Sequence, residues 1–273
     1  MAQANSFSNG VEVTPLTGSI GAEVKGISLA RLTPEEVTEI KSAFLTHCML
    51  VFPGQFLSIE EHVEFARLWG EASTSPFVKY LEDFPCVLPL TNRGKSGTVT
   101  ENWHYDSTFL PAPPAATILS ARDIPVGGDT MWSNQYLAYE TLSDGMKALI
   151  EGVRAEFTGA RLSKLAGSDR PIPRALHPVV RTHPETGRKA LFVGRPGDTV
   201  PRLENMTEAE SQPILKFLYE HSTQPDRIYR HRWSNGDVVI WDNRCTMHYA
   251  VHDYGDDATR DLHRISIKGT VPV

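Results

Sequence analysis

Short apolar or alternating runs of four to seven residues constrain this chain most: residues 11–16, 49–52, 115–121, 175–180, 189–193, 238–241 and 262–268. Gly, Pro, Asn or Asp punctuates them, as strands and turns require. His183-Pro184-Glu185-Thr186-Gly187, between two such runs, reads as a hairpin turn. Four helices interrupt the strands. Thr33-Pro34-Glu35-Glu36 opens the first, with a threonine cap, proline at the first position and glutamate closing a capping box. Ser58 and Glu61 stand in the same relation at the head of residues 58–69, with Gly70 at the end. A third helix is expected over 143–151, and a fourth from Thr207, boxed by Glu210, to about residue 222. The pattern predicts an α+β, strand-dominated single domain over residues 1–273, a jelly roll decorated by helices. Residues 159–173, with Arg161, Lys164 and Arg170, form the only long stretch with neither period. A stretch of this kind is expected to be a mobile lid over a pocket.

Hydrophobic residues at 40% and charged residues at 22% suit a globular chain that buries a full core without disulfides. A net charge of -6 with scattered basic residues argues against nucleic acid and anionic membranes as partners. It also means that a small-molecule anionic substrate needs dedicated cations inside its pocket. Cys48, Cys86 and Cys245 have no CxxC spacing, which points to a reducing compartment. Residues 1–9 lack the apolar core of a signal peptide, and no run of 18 apolar residues exists. The expectation is a cytoplasmic protein; association into a homo-oligomer is left open.

In Trp103-His104-Tyr105-Asp106, residues two apart on a strand would share a face at about 6.5 Å, so an imidazole and a carboxylate could meet one metal ion. His248, beyond the strand and polar turn of Val238-Val239-Ile240-Trp241-Asp242-Asn243, is the best third ligand. Two histidines and one carboxylate leave three positions open, the arrangement of non-heme iron(II) oxygenases. A lone His-x-Asp also arises by chance, and the other histidines read as surface or satisfied polar groups. HExxH, GxSxG, GxGxxG and paired CxxC motifs are absent. Gly94-Lys95-Ser96 resembles the end of a P-loop, but Pro89 stands where its first glycine belongs. Arg260 and Arg264 on the last predicted strand would share a face about 13 Å apart, too far for one small carboxylate. Two anionic groups could use them, since guanidinium forks suit carboxylates. Surface salt bridges are the plainer reading.

Trp103-His104-Tyr105-Asp106-Ser107-Thr108-Phe109, Gly127-Gly128-Asp129-Thr130, Trp241-Asp242-Asn243-Arg244 with His248, and Arg260-Asp261-Leu262-His263-Arg264 occur in that order. This order of motifs resembles the taurine dioxygenase and phenoxyalkanoate dioxygenase (TauD/TfdA) family, over about residues 11–268. The resemblance implies a double-stranded β-helix, the cupin-like jelly-roll barrel. It also implies Fe(II), 2-oxoglutarate as cosubstrate and O2. His104, Asp106 and His248 fall on the family's iron ligands, and Thr130 and Arg260 on its positions for the far carboxylate of 2-oxoglutarate. Arg264 falls on an arginine that meets the substrate's anion or lies beside the cosubstrate.

This chain departs from the taurine enzymes. Its span from His248 to Arg260 is one residue longer, through Gly255-Asp256-Asp257-Ala258. Ser75 and Val78 replace a histidine and a tyrosine, and Thr100 replaces an asparagine. Lys79 lies in a stretch more like the phenoxyalkanoate enzymes, where a lysine can meet a substrate carboxylate. Arg264, Lys79, Thr100 and Phe109 are therefore expected to face the substrate, with Trp132, Phe192 and Trp241 as further wall candidates. The expected reaction hydroxylates, and thereby can cleave, a small carboxylate, releasing succinate and CO2. Alkylsulfonate or sulfate-ester oxidation is the alternative. A cupin-like metal-binding protein without oxygenase activity and a zinc hydrolase are the rivals from other classes.

Overall fold

The computed structural model of this chain describes residues 5–6, 10–75, 77–93, 100–255 and 257–273. Gly94-Lys95-Ser96, Asp256 and most of residues 1–9 lie outside that set. Two sheets face each other. The major sheet runs Asn5–Ser6, Glu12–Pro15, Ala22–Lys25, Met49–Phe52, Val238–Asp242, Ala116–Asp123, Thr259–Ile267, and the last of these also pairs with Ala72–Ser73 and Leu88–Arg93. The minor sheet runs Ile228–His231, Thr130–Asn134, Thr246–Ala250. Pairing is antiparallel except between Ala22–Lys25 and Met49–Phe52.

Side chains alternate across a strand, and here both faces of the major sheet are covered. Leu50, Phe52, Ile118 and Ile240 turn outward onto Ile40 and Phe44 of helix α1 (Pro34–His47) and Phe65 of α2 (Ile59–Arg67). Met49, Val51, Leu119, Val239, Trp241 and Leu262 turn inward onto Trp132 of the minor sheet. Double burial is why Met49–Phe52 and Val238–Trp241 read as unbroken apolar runs. A third cluster packs Phe157 and Phe192 with Leu215 and Leu218, beneath the helices that follow.

Capping boxes form at Thr33/Glu36, Ser58/Glu61 and Thr207/Glu210, and Ser143 caps the expected third helix. Two short helices were not expected. Helix α3 (Gln135–Glu140) starts where Asn134 accepts from the N–H groups of Tyr136 and Leu137. Helices α4 (Asp144–Ile150), α5 (Ala160–Leu165) and α6 (Glu208–Ser222) follow it. Helix α5 begins the stretch predicted to be aperiodic. Six residues are too few for a helical period to show, and its N-cap, Gly159, supplies no side-chain bond. Strands Thr130–Asn134 and Thr246–Ala250 escaped the apolar pattern because Thr130, Ser133, Thr246 and His248 are polar yet buried.

Candidate metal centre

His104 and His248 are joined backbone to backbone, each N–H donating to the other's carbonyl at 3.0 and 2.9 Å. The strand expected over residues 103–106 is thus a single bridge. The chain then turns through Ser107 at φ 48°, closed by Leu110 N–H onto the Ser107 carbonyl at 3.0 Å. Asp106 therefore reaches the histidines from a turn rather than along a strand. One donor atom from each of His104, Asp106 and His248 lies within 4.8 Å of the others, and the two imidazole centroids are 4.2 Å apart.

The donors fit a divalent cation. His104 Nδ1 donates to the Asn102 carbonyl at 2.7 Å, which leaves the lone pair on Nε2. That Nε2 is buried and has no hydrogen-bond partner. An unsatisfied buried polar atom costs about 1–3 kcal/mol, and a bound ion would remove that cost. Burial, reinforced by the neighbouring His104 and Arg264, pushes His248 down to about 3; burial also lowers His104. For Asp106 burial works the other way, but Arg264, His248, His104 and a Thr117 bond outweigh it and bring the carboxyl to about 2. At neutral pH the trio is two neutral imidazoles and one carboxylate, the protonation state a metal needs.

Asp106 is held from two sides. Arg264 Nη1 donates to Oδ1 at 3.1 Å, and Thr117 Oγ1 donates to Oδ2 at 2.9 Å. Asn243 Nδ2 donates to Thr117 Oγ1 at 2.8 Å, and Trp241 Nε1 donates to Asn243 Oδ1 at 2.9 Å. A relay from Trp241 through Asn243 and Thr117 thus orients the carboxylate. Sequence reading missed Thr117, which sits inside an apolar run, although Asn243 lay in a quoted motif.

Arg260 and Thr130 also meet. Arg260 donates from Nε to the Gly128 carbonyl at 2.7 Å and from Nη2 to Thr130 Oγ1 at 3.2 Å. A Cβ on Gly128, which has φ +73°, would lie 2.8 Å from Arg260 Cδ, so the arginine needs glycine there. Burial lowers the Arg260 pKa, with Tyr254 and Asp129 opposing it. The two arginines of the last strand have different partners, as their spacing required.

A cleft opens beside the donors. His104, Asp106, Thr100, Phe109 and Arg264 line it, while Val78, Leu88, Leu90 and Leu162 supply apolar walls. Arg260 and Thr130 are buried and lie outside this lining. Lys79 is not brought to the cleft: Ser75 and Val78 face inward from its segment, and Lys79 is exposed. Trp132, Phe192 and Trp241 are core rather than wall, each at most 1% exposed. Arg161 of α5, not singled out as a ligand contact from the sequence, is a lining cation.

No helix among the described residues is long and apolar enough to cross a membrane. Residues 12–266 match the model of the taurine catabolism dioxygenase TauD, TfdA family. An alkylsulfatase from Acinetobacter baylyi is 37% identical over 96% of this chain and 86% of that protein. An (S)-phenoxypropionate/alpha-ketoglutarate-dioxygenase from Sphingobium herbicidovorans is 35% identical over 88% of each. The crystal structure of a taurine dioxygenase from Burkholderia xenovorans superposes with a TM-score of 0.85 at 37% identity, covering 97% of this chain and 93% of that one. That likeness makes the strand-rich sandwich the jelly roll of these enzymes. With its motifs, fold and donor trio in agreement over nearly its whole length, the chain belongs to the TauD/TfdA family.

Proposed function

We propose that this chain is an iron(II)- and 2-oxoglutarate-dependent dioxygenase that hydroxylates a small anionic organic substrate. The observation that carries the reading is the convergence of three donor atoms within 4.8 Å at the wall of a cleft, with the His104 lone pair left unused. In this reading His104, Asp106 and His248 hold the iron, leaving positions free for cosubstrate and O2. Arg264 and Thr117 keep Asp106 ionised and aimed. Arg260 offers a guanidinium, and Thr130 a hydroxyl, to the far carboxylate of 2-oxoglutarate. Iron bound there with 2-oxoglutarate and O2 supplies the oxidation, in which the keto acid leaves as succinate and CO2 and a substrate C–H becomes C–OH. Val78, Leu88, Leu90 and Phe109 shape the cleft for a body more apolar than taurine.

The first substrate reading is an aryloxyalkanoate-type carboxylate, since hydroxylation beside its ether oxygen gives an adduct that breaks apart. The second is an alkyl sulfate ester, favoured by the 37% identity to an alkylsulfatase. The chain works as one domain, with residues 159–173 as its lid; Gly159, Arg161 and Leu162 of that stretch line the cleft. Its three free cysteines and a ferrous centre suit the reducing cytoplasm.

The test supplies purified protein with Fe(II), 2-oxoglutarate and either (S)-2-phenoxypropionate or hexyl sulfate, and follows O2 uptake and succinate. Both should depend on iron and on the added acid, and His248→Ala should abolish them. Equal succinate release by His248→Ala would overturn the assignment.

A further inference from the structure

Thr130 Oγ1 accepts two hydrogen bonds. Arg260 Nη2 donates to it at 3.2 Å, and Trp233 Nε1 donates to it at 2.9 Å. A hydroxyl has two acceptor sites and one proton, whereas an indole N–H and a guanidinium can only donate. Both acceptor sites of Thr130 are therefore filled, and its proton must point elsewhere. Thr130 is buried, yet no side chain or carbonyl among the described residues accepts that proton. Arg260 is buried too; it gives its Nε–H to the Gly128 carbonyl and has no carboxylate partner among the described residues. The unused groups of this corner are all donors. Trp233 is fixed where it stands: it is buried, the ring of His231 meets it edge to face at 4.7 Å, and Trp132 lies 6.4 Å from it on another side.

From this arrangement we infer that Trp233 is a positioning residue for the cosubstrate, which by filling one acceptor site of Thr130 makes the threonine hydroxyl a fixed donor to a carboxylate. The inference rests on the dioxygenase reading and deepens it. There, Thr130 and Arg260 take the far carboxylate of 2-oxoglutarate, and Trp233 sets which way the Thr130 proton points. A carboxylate at neutral pH only accepts, so it suits a corner that only donates. Without the indole N–H, one lone pair of Thr130 is released and the hydroxyl turns among several orientations, of which one serves the carboxylate. Trp233 does not line the cleft, so its influence runs through Thr130 alone.

The experiment titrates manganese-loaded protein calorimetrically with 2-oxoglutarate and with 2-oxopentanoate, the same keto acid lacking the far carboxylate. Trp233→Phe keeps an aromatic ring and removes the N–H. Losing one neutral hydrogen bond weakens binding by about 2- to 12-fold, and 2-oxoglutarate should weaken within that range. Affinity for 2-oxopentanoate should move by less than about twofold, as expected of a change that leaves its contacts alone. In a Thr130→Val background the same substitution should have no further effect, while in Thr130→Ser, which keeps the hydroxyl, the effect should persist. Equal weakening of both keto acids by Trp233→Phe would make the indole a packing element and overturn the inference. So would an undiminished effect in Thr130→Val, or 2-oxoglutarate bound by wild type no better than 2-oxopentanoate. With iron in place, Trp233→Phe should raise KM for 2-oxoglutarate and leave kcat near the wild-type value. Turnover by wild type with no Trp233 effect on affinity would sink this inference alone. If wild type binds 2-oxoglutarate through Trp233 and Thr130 yet releases no succinate, the dioxygenase reading fails and this one stands.

Discussion

Two ionic clusters are buried at opposite faces of one short segment, and their hydrogen-bond accounts differ. Asp242 and Arg244 point one way: Arg244 donates to both Asp242 oxygens at 2.8 and 2.7 Å, and also pairs with Glu185. His183 Nε2 donates to Asp242 Oδ2 at 3.0 Å, while its Nδ1 accepts from the N–H groups of Glu185 and Thr186 at 3.2 and 3.1 Å. Trp241 and Asn243 point the other way, through Thr117 to Asp106. There His104 Nε2 and His248 Nδ1 remain without partners. Both clusters hold a carboxylate brought to about 2 and an arginine. One is complete within the protein, and the other offers donors to something that is not protein. Between these two clusters completeness makes the distinction that charge and burial do not.

The sharpest way to break that comparison is to damage each cluster in turn. Asp242→Ala leaves His183 without its acceptor and Arg244 with Glu185 alone, and should cost about 3–5 kcal/mol in urea unfolding of the metal-free protein. His104→Ala removes an imidazole whose only hydrogen bond is to a nearby carbonyl, and should cost only about 1 kcal/mol. Its effect should instead appear on adding Mn2+. At about 100 times Kd the ion should stabilise wild type by about 2.7 kcal/mol and leave His104→Ala nearly unmoved. Equal losses in the metal-free state would mean that the donor trio is structural too.

A smaller effect sharpens the boundary between the clusters. Thr117→Val keeps the volume but cuts the relay to Asp106, and should weaken Mn2+ by about 10- to 100-fold in a calorimetric titration. Unchanged affinity would mean that Arg264 alone orients the carboxylate.

How much of this was legible in the sequence follows from how local each signal is. Capping boxes at Thr33, Ser58 and Thr207 are written within four residues, and all three helices start there. Met49–Phe52 and Val238–Asp242 announced themselves because both faces are buried. Strands of the minor sheet stayed hidden because the polar residues that serve the site interrupt their alternation. At the site, His104 and Asp106 are suggested by spacing and joined to His248 by motif order, and the strand geometry expected for residues 103–106 gives way to a turn. Thr117 and Arg161 were invisible as site residues because their relation to the cleft is tertiary. Thr117 lies 11 residues from Asp106, and Arg161 finds Asp198 37 residues on. Lys79 was expected from the likeness of its stretch to the phenoxyalkanoate enzymes, and a likeness of sequence does not set which way a side chain turns.

Another buried imidazole extends the comparison to pH. His62 of α2 is 1% exposed, and neither of its ring nitrogens has a partner. It lies outside the donor trio, which is the only such cluster among the described residues. Burial, then the nearby positive groups His263 and Arg122, bring His62 from 6.5 to about 3. Between those two values the unfolded chain binds the proton and the folded one does not. Stability is therefore full above about pH 6.5 and falls as the pH drops, by up to about 1.4 kcal/mol per pH unit. Asp106 and Asp242, with unfolded values near 3.8, add their own acid loss only at lower pH. His248 acts in the same window as His62, so the readout is the difference between variants. His62→Phe keeps the volume and removes the proton site, and should flatten the fall in urea midpoint between pH 6.5 and 5. An unchanged slope would show that His62 takes up its proton in the folded state, and that a buried imidazole without partners is not by itself dry.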